Sequence, residues 1–182
     1  MKKHNQKIVA IIQARMGSSR LPGKVLKTIS GKPMLLHTYE RVGQSKLVNE
    51  IIIATTNDQS DDLIAQFCDH HNLQYFRGNQ FDVLDRYFQA ARIHLAEIIV
   101  RITADCPLMD PALIDQTIIS FLEQKVDFAA NRLPPPWKRT YPIGLDVEVC
   151  SFNALEKAWT ESKLVYEREH VMPYLYDQTD RF

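Results

Sequence analysis

Apolar residues along this chain come in short blocks bounded by turn-forming residues. Between the blocks lie segments whose apolar positions recur at helical spacing. KIVAIIQA (7–14) reads as a buried strand, and EIIIATT (50–56), LQYF (73–76), EIIVRIT (97–103) and VDFAAN (126–131) as further strands. GLDVEVCS (144–151) alternates apolar and acidic residues, which predicts a half-exposed strand.

The intervening segments predict helices. PMLLHTYERVGQS (33–45) carries Pro33 in its first turn. SDDLIAQFCDHH (60–71) offers Ser60 as a cap, with Asp61 and Asp62 at the positive end of the helix. DVLDRYFQAARIH (82–94) sets Val83, Leu84, Tyr87, Phe88 and Ala91 on one face. DPALIDQTIISFLEQ (110–124) has Asp110 as cap and Pro111 in first position. Two more helices, about 152–161 and 165–176, follow an irregular arm at 132–142. Tyr166, Tyr174 and Tyr176 with Leu164, Val171 and Leu175 read as a docking face.

Alternating strands and helices predict an α/β fold, a mostly parallel central sheet with helices on both faces. Neither a repeat nor a low-complexity linker divides the chain, so residues 1–182 read as a single domain. In such sheets ligands bind beyond the carboxyl ends of the strands. The loop at 13–24, the TTND turn (55–58) and TADCP (103–107) lie there.

Composition narrows the classes. Cations and acids balance at 22 each, which argues against a general nucleic-acid binder. No apolar run reaches the length of a membrane span, and the start of the chain does not read as a signal peptide. Cys68, Cys106 and Cys150 are far apart and form no CxxC pair, which predicts reduced cytoplasmic thiols and no zinc site.

The charge is unevenly spread. Eight of the 22 cations precede the first acid, Glu40, which leaves 14 cations against 22 acids in the remainder. Lys2, Lys3 and Lys7 read as a solvated basic start. Arg15, Arg20 and Lys24 instead alternate with turn residues in QARMGSSRLPGK (13–24), a segment without an acid. Such a loop suits a polyphosphate. Gly17 admits the backbone close to an anion, Ser18 and Ser19 offer hydroxyls and amides, and the cations offer charge-assisted bonds. The segment is not a P-loop, because five residues separate Gly17 from Gly23 and Val25 follows Lys24.

IIQARMGSSRLPGKVL resembles the signature of the sugar-activating cytidylyltransferases, and most closely their spore-coat-polysaccharide branch. These are relatives of the enzymes that make CMP-activated 3-deoxy-manno-octulosonate and sialic acids. FDVLDRY (81–87), RITADCPLMDP (101–111), GLDVEV (144–149) and EREHVMPYLY (167–176) are similar to later motifs of that branch.

The resemblance implies a nucleotide-diphospho-sugar transferase fold of glycosyltransferase-A type. It implies attack of a sugar's anomeric hydroxyl on the α-phosphate of CTP, magnesium as cofactor, and a cytoplasmic homodimer in surface polysaccharide synthesis. Ala14, Arg15, Gly17, Ser18, Ser19, Arg20, Lys24 and Thr103 would hold the nucleotide, with Arg15, Lys24 and Asp105 catalytic. Asp105 would carry the metal; its plain alternative is a helix cap or turn aspartate. Ala54 and Thr55 would line the base and ribose pocket or form an ordinary strand-end turn. Arg86 would reach the nucleotide or pair with Asp82 or Asp85. Asp146 and Glu148 would bind the sugar or help hold the metal, and His170 would bind substrate or pack.

Three departures from the family pattern stand out. Ile143 replaces a polar residue, PPPWKR (134–139) is insert-like with Trp137 a candidate for an interface, and family members continue beyond EREHVMPYLY. The last leads to the expectation of a C-terminally shortened fold. A second reading is therefore a catalytically impaired nucleotide-binding or partner-binding protein. A third is a nucleotidyltransferase that uses another base or an alditol phosphate.

Overall fold

In the computed structural model, the described residues are 6–18, 20–132, 140–178 and 180–182. Ser19, the start of the chain with Lys2 and Lys3, and the arm segment 133–139 with Trp137 lie outside them.

The first strand, β1 (Ile8–Gln13), is central because every residue up to Ile12 is apolar and can face a helix layer on either side. It pairs in parallel with β4 (Glu50–Thr56) and with β6 (Ile98–Thr103). Beyond β4 lies β5 (Tyr75–Gly78), also parallel. Beyond β6 come β8 (Glu148–Ser151) and then β7 (Phe128–Ala130), each antiparallel to its neighbour. The sheet order is β5-β4-β1-β6-β8-β7. The expected mostly parallel α/β architecture is what the chain forms. A two-stranded hairpin, β2 (Thr28–Ile29) with β3 (Lys32–Pro33), was not foreseen.

Strand periodicity divides the core in two. Ile8, Ala10 and Ile12 join Ile53, Ile98, Val100 and Ile102 on one face of the sheet. There they meet α1 (Met34–Val42), α2 (Asp62–His70) and α4 (Pro111–Gln124) through Leu35, Ile64 and Ile114. Val9, Ile11, Ile52 and Ile99 point the other way. They pack on α3 (Val83–Ile93), α5 (Phe152–Glu161) and α7 (Pro173–Tyr176) through Leu84, Tyr87, Leu155 and Leu175.

Local chemistry accounts for most boundaries. The α4 cap is as expected: Asp110 accepts from the Ala112 amide, and Pro111 opens the helix. In α3, Asp82 is the cap and accepts from Asp85 N–H. Ser60 is not a cap. Asp58 takes the Ser60 amide at 2.9 Å and caps a 3-10 turn, Gln59–Asp61, ahead of α2.

Two further expectations are corrected. The strand foreseen at 144–151 begins only at Glu148. Before it the Asn131 side chain stands in for a neighbouring strand, donating to Leu145 O at 2.7 Å and accepting from Val147 N at 2.9 Å. The helix foreseen at 165–176 breaks at Val171, with φ +73, into α6 (Val165–His170) and α7. That break divides the expected docking face. Val171, Tyr174 and Leu175 are buried, whereas Leu164 and Tyr166 are exposed. Among the described residues no helix is long and apolar enough to cross a membrane.

Candidate active site

The loop after β1 is shaped by its own backbone. Ala14 N donates to Ala54 O at 3.0 Å, which carries the β1–β4 pairing one residue past the strand. The chain then leaves the sheet and folds around Met16. The Met16 carbonyl accepts from both Ser18 N and Gly23 N, each at 2.9 Å, which draws the two arms of the loop together. Gly23 sits at φ +69, a conformation that L residues rarely adopt, and delivers the chain into the 3-10 turn Lys24–Leu26. Val25, buried against the core, anchors the exit.

A cleft of about 220 Å³ results, at the carboxyl ends of β1 and β6. Arg15, Gly17, Ser18, Arg20 and Lys24 line it from the loop, Gln13 from β1, and Thr103, Ala104 and Asp105 from the end of β6. Residues from two segments about 80 positions apart thus share one wall. Ser19 of the expected set lies outside the described residues, and Ala14 is buried under the loop.

Lys24 Nζ and Asp105 Oδ2 form an ion pair. Burial pushes the Asp105 carboxyl up, but the Lys24 ammonium and a Thr103 hydrogen bond outweigh it and hold the group below the usual aspartate range. Asp105 is therefore an anion at neutral pH, with its side chain 38% exposed. The turn that carries it is tied down, because Thr38 Oγ1 on α1 donates to Ala104 O at 3.1 Å. Burial raises the neighbouring Cys106 thiol, the Thr103 hydroxyl opposes the rise, and Asp105 and Asp146 add to it. That thiol is protonated and packed, not a nucleophile. All three cysteines are free and buried.

Ala54, Thr55 and Arg86 are each wholly buried and lie outside the walls of the cleft. Arg86 is not a surface ion pair. Asp82 is held by Arg168 at 2.5 Å, and Asp85 accepts from Trp159 Nε1 at 2.8 Å. Arg86 Nη1 donates to Asn79 O at 2.7 Å, while its Nε and Nη2 have no protein partner, nor has the strand-end hydroxyl Thr55 Oγ1. Burial lowers the Arg86 pKa, Tyr87 and Asp61 counter it, and Arg15 adds to the lowering, which places Arg86 in the field of the loop.

Asp146, Glu148 and His170, the expected sugar-binding residues, do not line the cleft. Asp146 acts electrostatically on the buried Cys106 thiol of the β6 turn. Glu148 is committed to an ion pair with Arg101 across the β6–β8 ladder. His170 is exposed at the end of α6 and does not line the cleft. Among the described residues no group of three His, Cys, Asp or Glu side chains could hold a metal alone.

Two residues near the site escaped the sequence reading. Gln13 lines the cleft with a buried Oε1 that has no partner; a polar residue ending the run IVAII was its only signal. Asp61, read as a helix-end charge, is buried and accepts from Met16 N at 2.7 Å. Only the folded chain brings those two segments together.

Residues 9–182 match the family described as cytidylyltransferase. An uncharacterized protein of Methanocaldococcus jannaschii is 40% identical over 176 residues, 97% of this chain and 70% of that protein. The spore coat polysaccharide biosynthesis protein SpsF of Bacillus subtilis is 34% identical, over 93% of this chain and 72% of that one. A solved cytidylyltransferase from Leptospira borgpetersenii superposes with a TM-score of 0.88 at 35% identity, covering 97% of this chain and 74% of its own. With the family matched over nearly the whole sequence, and the loop and the β6 turn meeting at one cleft, this chain belongs to the cytidylyltransferase family.

Proposed function

We propose that the protein activates a sugar by transferring CMP from CTP to its anomeric hydroxyl, with release of pyrophosphate, for surface polysaccharide or glycan synthesis. The observation that carries this reading is the cleft in which Arg15, Ser18, Arg20 and Lys24 face Asp105. Three cations and a serine around one small volume suit a triphosphate, and a lone anion opposite suits its counter-ion.

The chemistry asks for positioning and charge. The sugar oxygen attacks the α-phosphorus, the bond to the bridging oxygen breaks, and negative charge collects on the departing pyrophosphate. Arg15, Arg20 and Lys24 offer that charge fixed donors in a sheltered site. Ser18 and the loop amides orient the phosphate chain.

Magnesium fits the residues present. It takes one or two carboxylates and completes its shell with phosphate oxygens and water, so the ionised, part-exposed Asp105 is a sufficient protein contribution. When bound it would neutralise phosphate charge. Gln13, Thr55 and Arg86, with buried groups that lack protein partners, are the candidates for reading the base and ribose. Asp146, whose charge is felt at Cys106 of the same turn, is the candidate for the sugar. A cytoplasmic homodimer belongs to the same proposal, and sedimentation would test the dimer.

The test is pyrophosphate release from CTP, ATP, GTP and UTP, with and without magnesium, across 2-keto acid sugars, amino sugars and alditol phosphates. Release that needs CTP, magnesium and one class of sugar supports the reading. Release with another base, or with an alditol phosphate alone, overturns it.

A further inference from the structure

Asp61 is 1% exposed, yet it neither caps α2 through its side chain nor pairs with a contacting cation. Its carboxylate is spent on three donors. Oδ1 takes Met16 N–H at 2.7 Å. Oδ2 takes the Thr56 amide at 3.2 Å and the Thr56 hydroxyl at 2.5 Å. Thr56 ends β4, whereas Met16 is the residue about which the loop after β1 folds.

The Met16 peptide groups are thereby fixed from both sides. The N–H hangs from Asp61, and the C=O gathers Ser18 N and Gly23 N. Arg15 precedes this point and Ser18, Arg20 and Lys24 follow it, so the directions of all four depend on where Met16 sits. A carboxylate is suited to the task because its bonds to N–H groups are charge-assisted, and burial strengthens them. Its charge also offsets the buried Arg86 guanidinium, on which it acts electrostatically.

We infer that Asp61 is a positioning residue: it hangs the phosphate-binding loop from the end of β4 and sets the geometry of Arg15, Ser18 and Lys24 toward the triphosphate. This rests on the reading of the cleft as a triphosphate site.

Asp61→Asn tests it. The amide oxygen can still face Met16 N–H, but the amide nitrogen then meets the Thr56 N–H, donor against donor. Two readouts are taken on the full chain: amide hydrogen exchange by NMR, and calorimetric affinity for inorganic triphosphate and for CTP. Glu50→Gln, at the opposite end of β4, serves as the stability control.

In Asp61→Asn the Met16, Ser18 and Gly23 amides are expected to exchange about tenfold faster, and triphosphate and CTP to bind about tenfold more weakly. Exchange in β6 stays unchanged, and Glu50→Gln keeps wild-type affinity. Wild-type affinity in a folded Asp61→Asn variant would overturn the role of Asp61, as would a loss no greater than that of the control. Wild-type protein that binds neither triphosphate nor CTP would overturn the reading of the cleft itself. Should Asp61→Asn fail to fold, Thr56→Val removes one donor and leaves the carboxylate. Faster Met16 exchange with weaker triphosphate binding then supports the role, and no change in either refutes it.

Discussion

Lys24 and Asp105, 81 positions apart in the chain, meet as an ion pair in the cleft at the carboxyl ends of β1 and β6. Each is held by its own segment: Lys24 by the turn that follows Gly23, Asp105 by a turn whose Ala104 carbonyl is bonded to Thr38. The pair brings the cationic loop and the turn that carries Asp105 to one place.

On the proposed reading of the cleft, Lys24→Ala removes one charge-assisted contact to the phosphates. Such bonds contribute about 1.5–3 kcal/mol, so CTP affinity is expected to fall by roughly 10- to 150-fold. Titration calorimetry with the folded variant measures it. An affinity within about twofold of wild type would remove Lys24 from the site.

Asp105→Asn separates binding from turnover. Nucleotide affinity without magnesium is expected to hold, because a negative charge has left the cleft, while pyrophosphate release falls by about a hundredfold or more. The pH profile follows from the sign of the shift. With the carboxyl held below its ordinary value, Asp105 stays ionised, and no acid limb due to it is expected above about pH 4. An Asn variant with full magnesium-dependent release would exclude Asp105 as the metal carboxylate.

Glu50, at the amino end of β4, accepts from Lys7 at 2.7 Å and from His94 at 2.8 Å. Burial pushes its carboxyl up, but these two partners outweigh burial and leave it below the usual glutamate range. A group lowered on folding stabilises the chain above its unfolded value and loses that contribution as pH falls through the folded one. Glu50→Gln is expected to cost about 1 kcal/mol at pH 7, since the interaction is partly solvent-screened, and progressively less as pH falls below the ordinary glutamate range. Urea melts of both proteins at several pH values check this.

Gly78→Ala probes the support of Arg86. A Cβ there would lie 2.9 Å from Phe76 Cε1 and 3.2 Å from Arg86 Cγ, so the ring or the arginine must shift. Overpacking of this kind costs about 1–3 kcal/mol. Discrimination of CTP from UTP is expected to weaken with it if Arg86 reads the nucleotide. Thermal melts and competitive binding separate the two effects.

Patterns along the chain by themselves determined the fold class and most of its parts. EIIIATT is the observed β4 to the residue, and Asp110-Pro111 opens α4 as read, because apolar period and cap chemistry are local. The composition of residues 13–24 likewise marked the cationic loop that lines the cleft. What only the tertiary structure decided concerns partners far apart in sequence. An acidic residue on an alternating strand does not announce Arg101, so Glu148 read as a sugar or metal ligand, and its ion pair inside the sheet was not foreseen. Asn131 replaces a strand partner for residues 145–147 through its side chain, which no periodicity encodes. Asp61 looked like any acid at a helix start. Its hydrogen bond to Met16, 45 positions away, exists because parallel pairing of β1 and β4 sets their carboxyl ends side by side. Local sequence specifies elements and loop chemistry, and which donor meets which acceptor is set by the order of strands in the sheet.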